Sequence, residues 1–115
     1  MTIQRYEETA RYAQMVVHGD TIYLAGQVAE DWDQDIAGQM KEIFAKIDRL
    51  LSQAGSTKSK ILTMTCWIHD FADYCVFNET YDAWVDRENL PARATVKAEL
   101  LDARVRIEVM LTAAR

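Results

Sequence analysis

Apolar residues recur at helical spacing in one stretch of the chain and at strand spacing in several others. Ile36, Met40, Ile43, Phe44, Ile47, Leu50 and Leu51 form a single stripe with a period of about 3.6 residues, which predicts an amphipathic helix. Asp33 and Asp35 suit its N-terminal end, where carboxylates accept unpaired amide hydrogens, and Gly55-Ser56 stop it. Before the helix, Met15–His18 and Thr21–Leu24 flank Gly19-Asp20 and predict a hairpin. An acidic loop with Glu30, Asp31 and Asp33 follows. Ile61 to Ile68 is rich in β-branched and aromatic residues and reads as a strand. Helical spacing returns from Asp70 to Val85, with Tyr74, Phe77, Tyr81, Trp84 and Val85 on a common face.

Two alternating segments end the chain. In the first, Ala94, Val96, Ala98 and Leu100 share one face and Arg93, Thr95, Lys97 and Glu99 the other. In the second, Val105, Ile107, Val109 and Leu111 oppose Arg106, Glu108, Met110 and Thr112. The order β-β-α-β-α-β-β predicts an α+β fold, one sheet with two helices on one face. The uncovered face carries apolar residues, Met110 among them, and is expected to meet a partner subunit.

Composition narrows the function. The 115 residues fit one domain, 1–115, and half are apolar, enough for a packed core. A net charge of -5 without any lysine or arginine run argues against nucleic acid as a partner. No apolar h-region opens the chain and no apolar run reaches membrane-spanning length, so no membrane partner and a cytoplasmic location are expected. Cys66 and Cys75 then read as reduced thiols. His69, Asp70 and Asp73 lie close together, but nothing distant completes a metal-ligand set, and no phosphate loop or nucleophile elbow is present.

The chemistry concentrates in Leu90-Pro91-Ala92-Arg93-Ala94-Thr95-Val96 and Val105-Arg106-Ile107-Glu108-Val109. An arginine fork binds a small carboxylate in a planar, bidentate manner that lysine does not match. A glutamate inside an apolar strand is unusual, because burying an unpaired carboxylate is costly; its plain alternative is an outward residue paired with Lys97 or Arg106. A tight hairpin around Asp102-Ala103-Arg104 would set Glu108 opposite Lys97 and leave Arg93 roughly 13 Å further along. A site using both residues then needs another strand geometry or a subunit boundary.

These segments resemble the YjgF/RidA family, whose signature is a Pro-Ala-Arg-small segment followed by a glutamate; Arg93 and Glu108 match it. Arg11-Tyr12-Ala13-Gln14 is similar to the family's N-terminal Tyr-Ser-Gln segment, and Leu24-Ala25-Gly26-Gln27 to its Ser-Gly-Gln strand end. Phe71 to Tyr81 resembles its Asp-Phe-x-x-x-Asn-x-x-Tyr helix, with Asn78 at the asparagine. The resemblance implies a chorismate-mutase-like protomer in a homotrimer with clefts at subunit interfaces. It implies hydrolysis of 2-enamine or 2-imino acids to 2-keto acids and ammonia, with no metal or organic cofactor. Arg93 and Glu108 would be catalytic, the first on the substrate carboxylate and the second on water. Tyr12, Ala25, Gly26, Asn78 and Thr95 would bind substrate, although Tyr12 equally suits a partly buried aromatic and Asn78 an exposed helix position. Ala25 stands for a common serine and Thr95 for a frequent cysteine, and the loop from Val85 to Pro91 is short. The same scaffold also fits a non-catalytic carboxylate-binding or sensing module, or another trimeric enzyme such as a chorismate-mutase-like or carbamate hydrolase.

Overall fold

The computed structural model describes all residues, 1–115. Six strands form one sheet in the order β1-β2-β3-β6-β4-β5. They are β1 (Ile3–Glu8), β2 (Ala13–His18), β3 (Thr21–Leu24), β4 (Ile61–Ile68), β5 (Ala92–Lys97) and β6 (Ile107–Ala114). The helices α1 (Ile36–Gln53) and α2 (Tyr74–Trp84) lie between β3 and β4 and between β4 and β5 in sequence. The fold is α+β, with a mixed sheet.

Local chemistry sets the element ends. Asp35 caps α1 by accepting the Gly38 amide at 2.9 Å. Gly55 ends it at φ +75°, a left-handed conformation that favours glycine, while the Ser56 amide donates back to the Leu51 carbonyl at 2.8 Å. Asp70 caps a short turn, Phe71–Asp73, ahead of α2, so the regular helix starts later than the apolar spacing suggests. Gly19 turns the β2–β3 hairpin at φ +62°.

The core lies between α1, α2 and one sheet face. Met15, Val17, Ile22, Leu24, Met64, Cys66, Ile68, Ile107, Val109 and Leu111 point from the strands into it. The α1 stripe and Phe77 and Tyr81 of α2 meet them. Phe44 of α1 stacks on Trp84 of α2 with centroids 4.1 Å apart, joining the two helices. On the other sheet face no helix lies, and Tyr23, Val96 and Met110 are 47%, 43% and 43% exposed. Thr63 and Thr112 hydroxyls meet there at 2.6 Å.

The structure differs from the sequence reading at three points. An additional strand, β1, pairs with β2 at the sheet edge. Its residues are mostly exposed, so it lacks the alternation that betrays a half-buried strand. The last two strands are not a hairpin: β5 runs parallel to β4, and β6 crosses to the far side of β4 and pairs antiparallel with both β3 and β4. β4-α2-β5 is thus a βαβ unit, with α2 supplying the crossover that a parallel pair requires. β5 also ends at Lys97, so Ala98, Leu100 and Glu99 belong to the connecting loop.

Candidate functional site

Arg93 sits on the edge strand β5, in register with Met64, and points to the helix side of the sheet. Its guanidinium lies over the rings of Tyr81 and Phe77, 4.6 and 5.0 Å from their centroids. One of its amines donates to Asn78 Oδ1 at 3.2 Å. Phe77, Asn78 and Tyr81 share a face of α2 because residues one turn apart stack along a helix. The aromatic pair holds the planar cation by its π-faces, and no carboxylate pairs with it. Most of its five N–H donors are left for a ligand.

Thr95 follows on the same side of β5, and its Oγ1 is buried without a partner. Thr95, Phe71 and Tyr74 line a depression of about 370 Å³. Across the ladder, Cys66 faces Thr95, and burial pushes its thiol up to about 12, which makes it a poor nucleophile at neutral pH.

Glu108 stands on β6 between the buried Ile107 and Val109, so it points to the uncovered sheet face. No hydrogen bond or ion pair holds its half-buried carboxylate, and burial raises its pKa above the ordinary 4.5. A second depression, of about 330 Å³, is lined by Tyr12, Ala25, Gly26, Val28, Leu101 and Glu108. Gly26 packs directly against the Glu108 carboxylate, and a Cβ built there would displace its end. Bonds between Gln27 and Val109 backbones, 2.7 and 3.0 Å, fasten the Ala25-Gly26 turn beside Glu108.

The seven sequence-predicted residues therefore form two groups. Arg93, Asn78 and Thr95 lie together against α2; Glu108, Tyr12, Ala25 and Gly26 line the other depression. Glu108 pairs with Trp67, not Lys97, while Arg93 aligns with Met64, two strands away. Strand geometry puts the two backbone positions about 14 Å apart, with the side chains on opposite sheet faces. The strands take the other geometry, not the hairpin, and one protomer does not bring Arg93 to Glu108. Lys97 and Arg106 do not neutralise Glu108 either: Arg106 is taken by Asp73 at 2.6 Å. No group of three or more His, Cys, Asp or Glu side chains converges to hold a metal.

The family model described as Endoribonuclease L-PSP matches residues 2–115. The chain superposes on the crystal structure of a YjgF-family protein from Neisseria meningitidis with a TM-score of 0.95 and 36% identity, covering 100% of this chain and 96% of that one. It belongs to the YjgF/RidA family. A RutC family protein from Haemophilus influenzae is 41% identical over 114 residues, 98% of each chain. A Salmonella typhimurium protein named 2-iminobutanoate/2-iminopropanoate deaminase is 27% identical over 111 residues, covering 90% of this chain and 87% of its own.

Sequence reasoning missed the residues that shape this YjgF/RidA protomer's two depressions. Phe77 and Tyr81 read as core positions of α2, yet they also present ring faces to Arg93. Val28 and Leu101 lie in loops without periodicity, and only the fold brings them to Glu108. Gln39 had a signal: it sits one turn from Ile36 and Ile43, on the buried face of α1.

Proposed function

We propose that the protein hydrolyses 2-imino or 2-enamine acids to 2-keto acids and ammonia in clefts shared between subunits of a homotrimer. The observation that carries this reading is a guanidinium with no carboxylate partner and a half-buried carboxylate with no hydrogen bond, which one protomer holds on opposite sheet faces. Arg93, held by Phe77, Tyr81 and Asn78, binds the substrate carboxylate. Glu108 of the adjoining subunit orients or deprotonates water for attack on the imine carbon, and burial, which raises its pKa above the ordinary 4.5, makes it a stronger base than a solvated glutamate. The bond formed is C–O at the former imine carbon; the C–N bond breaks, and nitrogen leaves with protons as ammonia. Tyr12, Gly26 and Ala25 wall the Glu108 side, and Thr95 lies beside Arg93.

The name of the Salmonella relative supports this substrate class. The description of the family model points to RNA instead; the net charge of -5 and the lack of a basic run favour a small acid. A binding or sensing role for the same pocket is the second reading, favoured by the completeness of the Arg93 half on its own. The deciding experiment generates 2-iminopropanoate in situ with an amino-acid oxidase and follows keto-acid formation. Acceleration by the wild type, lost in Glu108→Gln, supports hydrolysis. No acceleration, with carboxylate binding that Arg93→Lys removes, supports the binding module.

A further inference from the structure

Gln39 is fully buried on α1, and every polar atom of its side chain is used. Its Nε2 donates to the carbonyls of Arg104 at 2.8 Å, Gln34 at 3.0 Å and Trp32 at 3.3 Å. Its Oε1 accepts the Arg106 amide at 2.9 Å. A buried amide with two donor hydrogens serving three carbonyls is a committed arrangement, since an unsatisfied buried amide costs stability. Those partners belong to two loops, residues 25–35 and 98–106, which Gln39 joins. The first loop carries Gly26 and Val28 to the Glu108 depression, and the second carries Leu101. Arg104 reinforces the seam by lying over the Trp32 ring at 5.4 Å.

The bonds also bear on Glu108 itself. Arg106 lies two residues before Glu108. Its amide is fixed by Gln39, its carbonyl accepts from the His69 amide at 3.0 Å, and its guanidinium is bound to Asp73. On the other side of Glu108, Val109 is clamped by Gln27, a second buried glutamine, whose Nε2 donates to the Ala25 carbonyl at 3.0 Å and to Gln14 Oε1 at 2.9 Å. The carboxylate has no hydrogen bond of its own, so its placement depends on this backbone frame.

The geometry points to Gln39 as a positioning residue for Glu108: it locks the two loops that wall the Glu108 depression and sets the start of β6. This rests on the reading of Glu108 as the water-activating group. Tyr12 is the other titratable side chain lining the depression, and no charged group pairs with Glu108 across it. Freed from Gln39, the loops part and water reaches the carboxylate.

The test compares wild type, Gln39→Met and Gln39→Glu, after circular dichroism confirms folding. Gln39→Met keeps length and removes all four bonds. Gln39→Glu keeps the acceptor for Arg106 and loses the amide donors. Glu108 is titrated by carboxyl-carbon NMR, and imine hydrolysis is followed in parallel. In Gln39→Met the Glu108 titration should fall back towards 4.5. The turnover number should drop about 10- to 100-fold with KM nearly unchanged, because misplacing a catalytic group costs the chemical step. Measured against wild type at the same pH, Gln39→Glu should recover part of its relative turnover as pH falls, since its protonated acid regains a donor. If Gln39→Met fails to fold, the Gln39→Glu titration stands alone as the test. A folded variant with an unchanged Glu108 titration overturns the positioning role. Should the wild type turn over no imine, the function reading fails, yet the shift of the Glu108 titration still tests the brace.

Discussion

At the scale of single residues, Arg93 and Glu108 owe their chemistry to what surrounds them. Arg93→Lys keeps the charge and discards the fork, and lysine does not lie flat on Tyr81 and Phe77. Carboxylate binding should weaken by roughly 2–4 kcal/mol, read by calorimetry with a stable 2-keto acid. Glu108→Gln should lower turnover about 10²-fold while ligand affinity holds. Its effect on stability has the opposite sign. Burial raises the folded pKa of Glu108, so ionising it destabilises the folded state. Stability from this group is therefore lost as pH rises from the ordinary 4.5 through the raised value. Glu108→Gln should melt at or above the wild-type temperature at pH 7, and the difference should vanish below pH 4.5. A lower melting temperature at pH 7 would show that the carboxylate has found a cation across an interface. Glu108 stood out in the sequence as a glutamate in an apolar strand, whereas Arg93 stood out only through the family resemblance of its Pro-Ala-Arg segment. Asn78 gained its meaning only from the bond to Arg93.

At the scale of elements, sequence spacing was sufficient where one face is buried and the other wet. The α1 stripe lies in the core, and its predicted acidic cap is Asp35. Asp35→Ala should cost about 1 kcal/mol in urea unfolding, the usual value of an N-cap, without changing the Arg93 half-site. Spacing failed where that contrast is absent. β1 exposes most of its residues, and the polar side of β5, Arg93 and Thr95, turns towards α2 while Ala94 and Val96 face outward. An edge strand has solvent on one flank, so apolarity does not mark its inner face. The choice between a β5–β6 hairpin and a crossover likewise rests on long-range pairing, which short-range periodicity does not encode.

At the scale of the whole molecule, the uncovered face with Tyr23, Val96 and Met110 is the surface that assembly would bury. Light scattering should give about three times the protomer mass, the closed ring that the proposed shared clefts require. Met110→Lys, which sets a charge on that face, should yield folded monomers without turnover. A sharper result comes from mixing two inactive variants, Arg93→Lys and Glu108→Gln, and letting subunits exchange. Sites that join an intact Arg93 to an intact Glu108 then reappear, at about a quarter of wild-type activity for random equal mixing. No recovery, despite proven exchange, would show that the two residues do not share a site.

What the sequence by itself determined is what depends on nearby residues: the two helices, the hairpin around Gly19 and the caps. These follow from local sterics and from the period of apolar positions, both of which act over a few residues. The tertiary structure decided the rest. It placed β6 between β3 and β4, sent Arg93 and Glu108 to opposite faces, laid Phe77 and Tyr81 under the guanidinium, and gathered two loops onto Gln39. Each of those outcomes joins residues far apart in the chain, where the pairing that buries the most apolar surface with every polar group satisfied wins, and no local pattern records it.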